Sequence, residues 1–275
     1  MSPVKIGSDA PLAIIAGPCT LESVDLALEV GGAMKDACHA HGLGYIFKAS
    51  FDKANRSSIT SARGPGLEQG LEQLAAVRSE LGVPITTDVH LPEQCAQVAE
   101  VVDVLQIPAF LCRQTDLLMA AGTAAAEHNR AVNVKKGQFL SPREMAGPVR
   151  KLRESGCDQI LLTERGTFFG YHRLVNDFTG LGDLMTLDDK APPPVVFDVT
   201  HSTQLPGSGE QTGGRPERAP LLAKAATAAG VAALFIEAHP EPARAHSDGA
   251  TQLPIAKAVQ LVSDVARIRA ALART

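Results

Sequence analysis

Two lysines, an arginine, an asparagine and three serines crowd the stretch Lys48-Ala49-Ser50-Phe51-Asp52-Lys53-Ala54-Asn55-Arg56-Ser57-Ser58, which shows no helical or alternating apolar period. Lysine supplies a point charge, arginine a planar fork matched to phosphate or carboxylate, and serine neutral hydroxyl donors. That composition is an anion site. It follows directly on the apolar run Tyr45-Ile46-Phe47, which reads as a strand, and the ends of parallel strands are where such sheets bind ligands. A solvated basic loop would carry the same letters; its position after a strand favours the site.

Other ionisable residues also stand just after apolar runs: Cys19, Asp88 and His90, Arg113, Lys135 and Lys136, Glu164 and Arg165, Asp198 and His201, then Glu237, His239 and Asp248. They divide by chemistry. Lys48, Lys53, Arg56, Arg113, Lys135, Lys136 and Arg165 would make a rim with more positive charge than one phosphate requires, so two phosphates, or phosphate plus carboxylate, fit better. Cys19, His201, Glu237 and Asp248 are of types that bind metals as thiolate, imidazole and carboxylate. No close-spaced ligand motif links these four, and a lone cysteine after a strand is more often a small buried residue. Only a fold that gathers the strand ends would unite them.

The chain alternates in the way such a fold requires. Strand-like runs fall at 12–16, 45–48, 84–89, 103–107, 131–134, 159–162, 195–197 and 233–236. Helical spacing is read over Ser23 to His41, Leu67 to Leu81, 92–101, 114–127, 142–155, 172–186, 215–229 and Pro254 to Leu272. Eight strands each followed by a helix predict an α/β fold, a (β/α)8 TIM barrel over residues 1–275 as one domain. A doubly wound open sheet is the alternative, but no G-x-G-x-x-G fingerprint follows the first strand. Residues 1–9 are expected to form a strand pair plugging the barrel floor. Glu241 to Gly249 is long and polar enough for a lid, and Ser208 to Arg215, rich in glycine, is expected to be mobile. His39, His41, His128 and His172 read as surface or helix-end residues.

Composition excludes several classes. With 275 residues, 45% of them apolar, and a formal charge of −4, a general affinity for nucleic acid or anionic membrane is not expected; any anion site must be local. No apolar run approaches the roughly 18 residues of a membrane span, and the first residues lack the apolar core of a signal peptide, so a cytoplasmic protein is expected. Five scattered cysteines, Cys19, Cys38, Cys95, Cys112 and Cys157, suggest reduced thiols rather than a disulfide framework.

The segments Ile15-Ala16-Gly17-Pro18-Cys19, Phe47 to Ser58, Ile107 to Asp116, Asn133 to Phe139, Thr163-Glu164-Arg165-Gly166, Phe197 to Ser202 and Glu237-Ala238-His239-Pro240 together resemble the 3-deoxy-manno-octulosonate 8-phosphate synthases. The resemblance runs from about residue 10 to the C-terminus. Its most discriminating piece is Lys53-Ala54-Asn55-Arg56-Ser57-Ser58, where the related 3-deoxy-heptulosonate 7-phosphate synthases carry a Lys-Pro-Arg-Thr version.

The resemblance implies a TIM barrel, usually a homotetramer, that condenses phosphoenolpyruvate with arabinose 5-phosphate on the route to lipopolysaccharide. It places the phosphoenolpyruvate phosphate on Lys135 and Arg165 and its carboxylate side on Lys53. Asn55, Arg56 and Ser57 would take the pentose phosphate, Lys48 and Gln204 would also bind substrate, and Arg113 would reach a neighbouring subunit's site. Lys53 and His201, with Asp88 and His90, form the expected catalytic set. Cys19, His201, Glu237 and Asp248 would hold a divalent ion, since the metal-independent members carry asparagine at the position of Cys19. The mixed donors suit Fe²⁺, Zn²⁺, Mn²⁺ or Co²⁺ better than Mg²⁺. A heptulosonate synthase and a non-catalytic phosphosugar-binding barrel are the alternatives.

Overall fold

The structure is a computed structural model that describes residues 4–7, 9–54, 63–187, 191–207 and 212–272. Its strands β1 (Ala13–Gly17), β2 (Gly44–Lys48), β3 (Ile85–Asp88), β4 (Val104–Ile107), β5 (Ala131–Lys135), β6 (Ile160–Glu164), β7 (Val195–Asp198) and β8 (Ala233–His239) pair in chain order, all parallel. β8 pairs back onto β1, with Ala13 opposite Ala233 and Gly17 opposite Glu237, so the sheet closes. Parallel neighbours need a crossover between them. The crossovers contain α1 (Val24–Ala40), α2 (Leu67–Leu81), α3 (Cys95–Val101), α4 (Thr115–His128), α5 (Ala146–Glu154), α6 (Phe178–Met185) and α7 (Ala219–Ala229), and α8 (Ile255–Leu272) follows β8. The expected (β/α)8 barrel is the fold.

Residue parity decides what lies inside. Ala13, Ile15, Ile46, Val104, Leu161, Val196, Ala233 and Phe235 form a buried cluster within the barrel, while Ile14, Phe47, Ile85, Leu105, Val132, Leu162 and Leu234 pack in the larger cluster shared with the helices. Side chains alternate along a strand with period two. The inward series therefore continues toward the C-terminal ends as Lys48, Asp88, Gln106, Lys135, Thr163, Asp198 and Glu237. Seven of the eight strands thus carry a polar or ionisable inward residue at or near the C-terminal end; β1 ends in Gly17, and Cys19 follows it. Each fully buried Val, Leu, Ile or Phe side chain stabilises by about 1.5–3 kcal/mol, which helps offset the burial of those charges.

One glycine is sterically required beside the site: a Cβ on Gly17 would lie 1.9 Å from the Lys48 carbonyl oxygen, so β1 and β2 could not approach as they do. Helix α1 starts where Ser23 Oγ accepts the Leu26 N–H at 3.1 Å, a side-chain N-cap.

Two expectations are corrected. Residues 4–7 form no strand; Val4 and Ile6 instead pack against the inner cluster at the barrel floor, beside a cavity of about 580 Å³. The helix expected over 172–186 is only Phe178–Met185, preceded by an antiparallel hairpin of Thr167–Gly170 and Arg173–Val175. Left-handed backbone at Phe169, Tyr171 and His172 turns that hairpin, and Asp177 Oδ1 accepts the Gly180 N–H at 3.0 Å to begin the helix after it. Within 208–215, Gly213–Gly214 pairs with Gln204–Leu205; residues 208–211 lie outside the described part.

Candidate active site

Cys19, two residues past β1, and Glu237, near the end of β8, come together because the barrel closes between those strands. Asp248 reaches them from the loop after β8. One donor atom from each of the three lies within 4.8 Å of the others, and the Cys19 thiol donates to Asp248 Oδ2 at 3.2 Å. His201, just past β7, sets Nε2 3.5 Å from Glu237 Oε2 and 3.8 Å from Asp248 Oδ2. Its Nδ1 faces Asp198 Oδ2 at 2.7 Å, and Asp198 Oδ1 accepts the His201 backbone N–H at 2.8 Å. The four expected ligands converge at the mouth.

The donor set fits a divalent ion on its own chemistry. Glu237 is fully buried; its Oε1 takes the Lys48 ammonium at 2.5 Å, whereas Oε2 has no hydrogen-bond partner among the described residues and faces the His201 ring. A carboxylate holding Nδ1 leaves Nε2 to serve as ligand, the usual arrangement behind a metal-bound histidine. Burial, reinforced by Glu237, pushes the Cys19 thiol up, so a cation would be needed to hold it as thiolate. Burial would lower the pKa of His201, but Asp198 and Glu237 more than offset it and raise that pKa well above the ordinary value.

Cations line the space beside this cage. Lys135 binds Asp198 Oδ2 and sits 3.1 Å from the centroid of the Phe235 ring; burial pulls its pKa down against the opposing pull of Asp198. Arg165 is likewise lowered by burial. Its Nη2 donates to Gln204 Oε1 at 2.5 Å, while Nη1, also buried, has no partner among the described residues. Lys48 donates to the Cys19 carbonyl at 3.0 Å and Lys53 to Ser50 Oγ at 2.9 Å. Burial opposes the charge on Lys53, yet Cys19, Glu237, Asp88 and Asp248 outweigh it and raise the pKa. Lys48, Lys53, Lys135, Arg165 and Gln204 line a cavity of about 520 Å³, with Asp88, His90, Gln138, Phe110 and Phe168 also on its wall. Buried polar groups are as a rule paired, and Arg165 Nη1, Glu237 Oε2, His90 Nδ1 and Gln138 Oε1 are four exceptions gathered in this cavity's lining residues.

A chain of hydrogen bonds runs across the strands beneath. Ser50 Oγ donates to Asp88 Oδ2, Gln106 Nε2 to Asp88 Oδ1 at 2.5 Å, Asn133 Nδ2 to Gln106 Oε1 at 3.1 Å, and Thr163 Oγ1 to Asn133 Oδ1 at 2.7 Å. Burial would raise the Asp88 pKa, but Lys48 and Lys53 hold its carboxyl well below the usual carboxylate range. His90, stacked edge-on to Phe51, is lowered by burial.

Some expected residues stand elsewhere. Lys136 does not join the cationic rim: because Lys135 points inward, Lys136 points outward, donating to Leu140 O at 3.1 Å and lying 3.3 Å from Glu164 Oε2. Arg113 is exposed and is not among the cavity's lining residues. Asn55, Arg56 and Ser57 lie outside the described residues, although Asp52 and Arg63, which flank them, are joined at 2.8 and 2.5 Å. Sequence reasoning gave no role to Gln106, Asn133, Phe235 or Gln252. A signal existed for two of them: Gln106 and Asn133 are amides inside otherwise apolar strand runs, and a buried amide needs partners.

The site belongs to a barrel enzyme that sets thiol, imidazole and carboxylate donors beside a buried cationic cradle. The chain belongs to the DAHP synthetase I family, whose model matches residues 1–272. It is 54% identical over 260 residues to a 2-dehydro-3-deoxyphosphooctonate aldolase of Nitrobacter winogradskyi, covering 94% of this chain and 88% of that one. Proteins with the same name from Nitratidesulfovibrio vulgaris (52% over 256 residues, 93% and 91% covered) and Cyanothece sp. (50% over 271 residues, 98% and 96% covered) are similar as well. No helix among the described residues is long and apolar enough to cross a membrane.

Proposed function

We propose that this chain condenses phosphoenolpyruvate with D-arabinose 5-phosphate and water, giving 3-deoxy-D-manno-octulosonate 8-phosphate and inorganic phosphate. It acts in the cytoplasm, on the route to lipopolysaccharide, as a metal-dependent homotetramer. The observation that carries this reading is one cavity lined by His201, Glu237 and Asp248 together with Lys53, Lys135 and Arg165, with the buried Cys19 thiol grouped with Glu237 and Asp248 behind its wall, in a chain half-identical to the octonate-named relatives.

In the reaction, C3 of phosphoenolpyruvate forms a bond to the sugar aldehyde carbon, water adds at C2, and the C2–phosphate bond then breaks. Positive charge develops at C2 and negative charge at the aldehyde oxygen. Arg165, oriented by Gln204 and with Nη1 unspent, and Lys135 hold the phosphate; Lys53 takes the carboxylate. Asn55, Arg56 and Ser57 take the pentose phosphate, and Arg113 enters from a neighbouring subunit. Holding both reactants in line makes the encounter intramolecular. A divalent ion on the four donors, Fe²⁺, Zn²⁺, Mn²⁺ or Co²⁺, supplies Lewis acidity toward the aldehyde or the water when bound. Lys53 and His201 handle protons, with Asp88 and His90 beside them.

Phosphate release from phosphoenolpyruvate tests this with arabinose 5-phosphate against erythrose 4-phosphate, with and without chelator. The reading expects arabinose 5-phosphate to be preferred and chelator to abolish turnover. Preference for erythrose 4-phosphate would make the chain a heptulosonate synthase, and binding of both substrates without phosphate release would make it a non-catalytic barrel.

A further inference from the structure

The loop that carries Asp248 is fastened to the loop that carries Cys19 by contacts outside the site itself. Glu22, three residues past Cys19, accepts the His246 backbone N–H on Oε1 at 2.9 Å. The same oxygen lies 3.5 Å from His239 Nε2, and Oε2 lies 3.7 Å from His246 Nε2. One carboxylate thus faces both imidazoles that bracket the loop.

The tautomer of His239 follows from its other neighbour. Nδ1 accepts the Glu241 backbone N–H at 3.0 Å, so Nε2 of the neutral ring carries the hydrogen; it lies 3.5 Å from Glu22 without a hydrogen bond, and the His246 backbone N–H makes the direct link to that carboxylate. That assignment excludes Nε2 as a metal ligand and makes the Glu22, His239 and His246 group a clasp rather than a second ion site. On the far side of the loop, Gln252 Nε2 donates to the Ser247 carbonyl at 2.8 Å while its Oε1 accepts the Cys19 N–H at 3.2 Å.

The clasp has something to hold. Asp248 has φ of +49°, a left-handed conformation that a non-glycine residue keeps only where its surroundings over-determine it. Thr251 and Gln252 N–H groups return to the Asp248 carbonyl at 2.9 and 3.2 Å. Gly249 is pressed so close to Pro242 that a Cβ would lie 2.3 Å from its carbonyl oxygen. The turn is fixed within itself; its place over Cys19 depends on Glu22 and Gln252.

We infer that Glu22 is a positioning residue: it touches neither the cavity nor the donor atoms, and it sets the Asp248 carboxylate against the Cys19 sulfur by clamping residues 239–246. The part of this inference that concerns metal rests on the function proposed above; the clamp itself does not. Outer-shell partners of this kind change metal affinity by about 10–100-fold.

Two measurements on the full chain test it, using Glu22→Ala and Glu22→Gln. In the metal-free protein, hydrogen exchange over residues 241–250 should be at least about tenfold faster in Glu22→Ala and close to wild type in Glu22→Gln, whose amide oxygen can still accept the His246 N–H. In Co²⁺ titrations against a competing chelator, followed by thiolate-to-cobalt absorption, Glu22→Ala should bind about 10–100-fold more weakly, with Glu22→Gln restoring most of the loss. Unchanged exchange over 241–250 in Glu22→Ala would overturn the clamp, as would undiminished Co²⁺ affinity. Should wild type bind no Co²⁺ through Cys19, the metal reading fails, and the exchange comparison still decides the clamp.

Discussion

Asp198 and His201 are joined twice, by the Nδ1 to Oδ2 contact of 2.7 Å and by the His201 backbone N–H on Oδ1 at 2.8 Å. A residue at the end of β7 thereby fixes both the ring plane and the backbone of one three positions on. Asp198 is fully buried; burial opposes its ionisation, but His201 and Lys135 more than compensate and hold it well below the usual carboxylate range. Its Oδ2 meets both the His201 ring and the Lys135 ammonium, so one carboxylate oxygen joins the cage to the cation cradle.

Asp198→Asn should consequently damage two functions at once. Metal affinity is expected to fall by about 10–100-fold, as for other carboxylates behind a ligating histidine, and kcat/KM with it. Chelator competition and steady-state assays on the same preparation check this, and a variant with unaltered metal affinity would contradict the orienting role.

Arg165→Lys should separate binding from metal chemistry. Gln204 and the unspent Nη1 use the planar fork of arginine, which a lysine cannot reproduce. The expected result is a KM for phosphoenolpyruvate raised by about tenfold or more, corresponding to about 1.4 kcal/mol or more of lost binding, with Co²⁺ affinity unchanged.

The hydrogen-bonded chain beneath the site predicts a stability effect. Asn133→Ala strands Gln106 Oε1 and the Thr163 hydroxyl, both buried, and leaving a buried polar group unpaired costs about 1–3 kcal/mol. Urea unfolding should show a loss of that order, and a variant as stable as wild type would mean that the chain does not support the barrel.

A pH dependence is expected on the outer layer. Asp264 of α8 binds Lys224 of α7 at 2.9 Å, Gln260 at 3.0 Å, and Arg267; Lys224 first, then the other two, lower its pKa to about 2. The unfolded value is about 3.9, so its stabilisation is complete above that pH and is lost as pH falls toward about 2. Asp264→Asn should lower the urea midpoint at pH 7 by a small amount, with the gap to wild type narrowing at pH 3; a gap that widens on acidification would contradict this sign.

Much of this was legible in the letters. The alternation of apolar runs and helical periods located all eight strands and the helices between them, because burial on both faces makes barrel strands near-continuous apolar segments. The helix expected at 172–186 failed at its first half because Phe169, Tyr171 and His172 take left-handed backbone, which nothing in those residue types announces. Charge alone places Lys136 with Lys135 in the rim, although period two sends neighbours to opposite faces. Charge type and residue order along the strands are local properties, so the sequence by itself determined the barrel, its cation-rich mouth and the candidate donors Cys19, His201, Glu237 and Asp248. Only the tertiary structure decided that Glu237 keeps one oxygen for the cage, that Asp198 orients His201, and that Glu22 fastens the Asp248 loop. Those are distances between atoms far apart in the chain, set by barrel closure and side-chain packing.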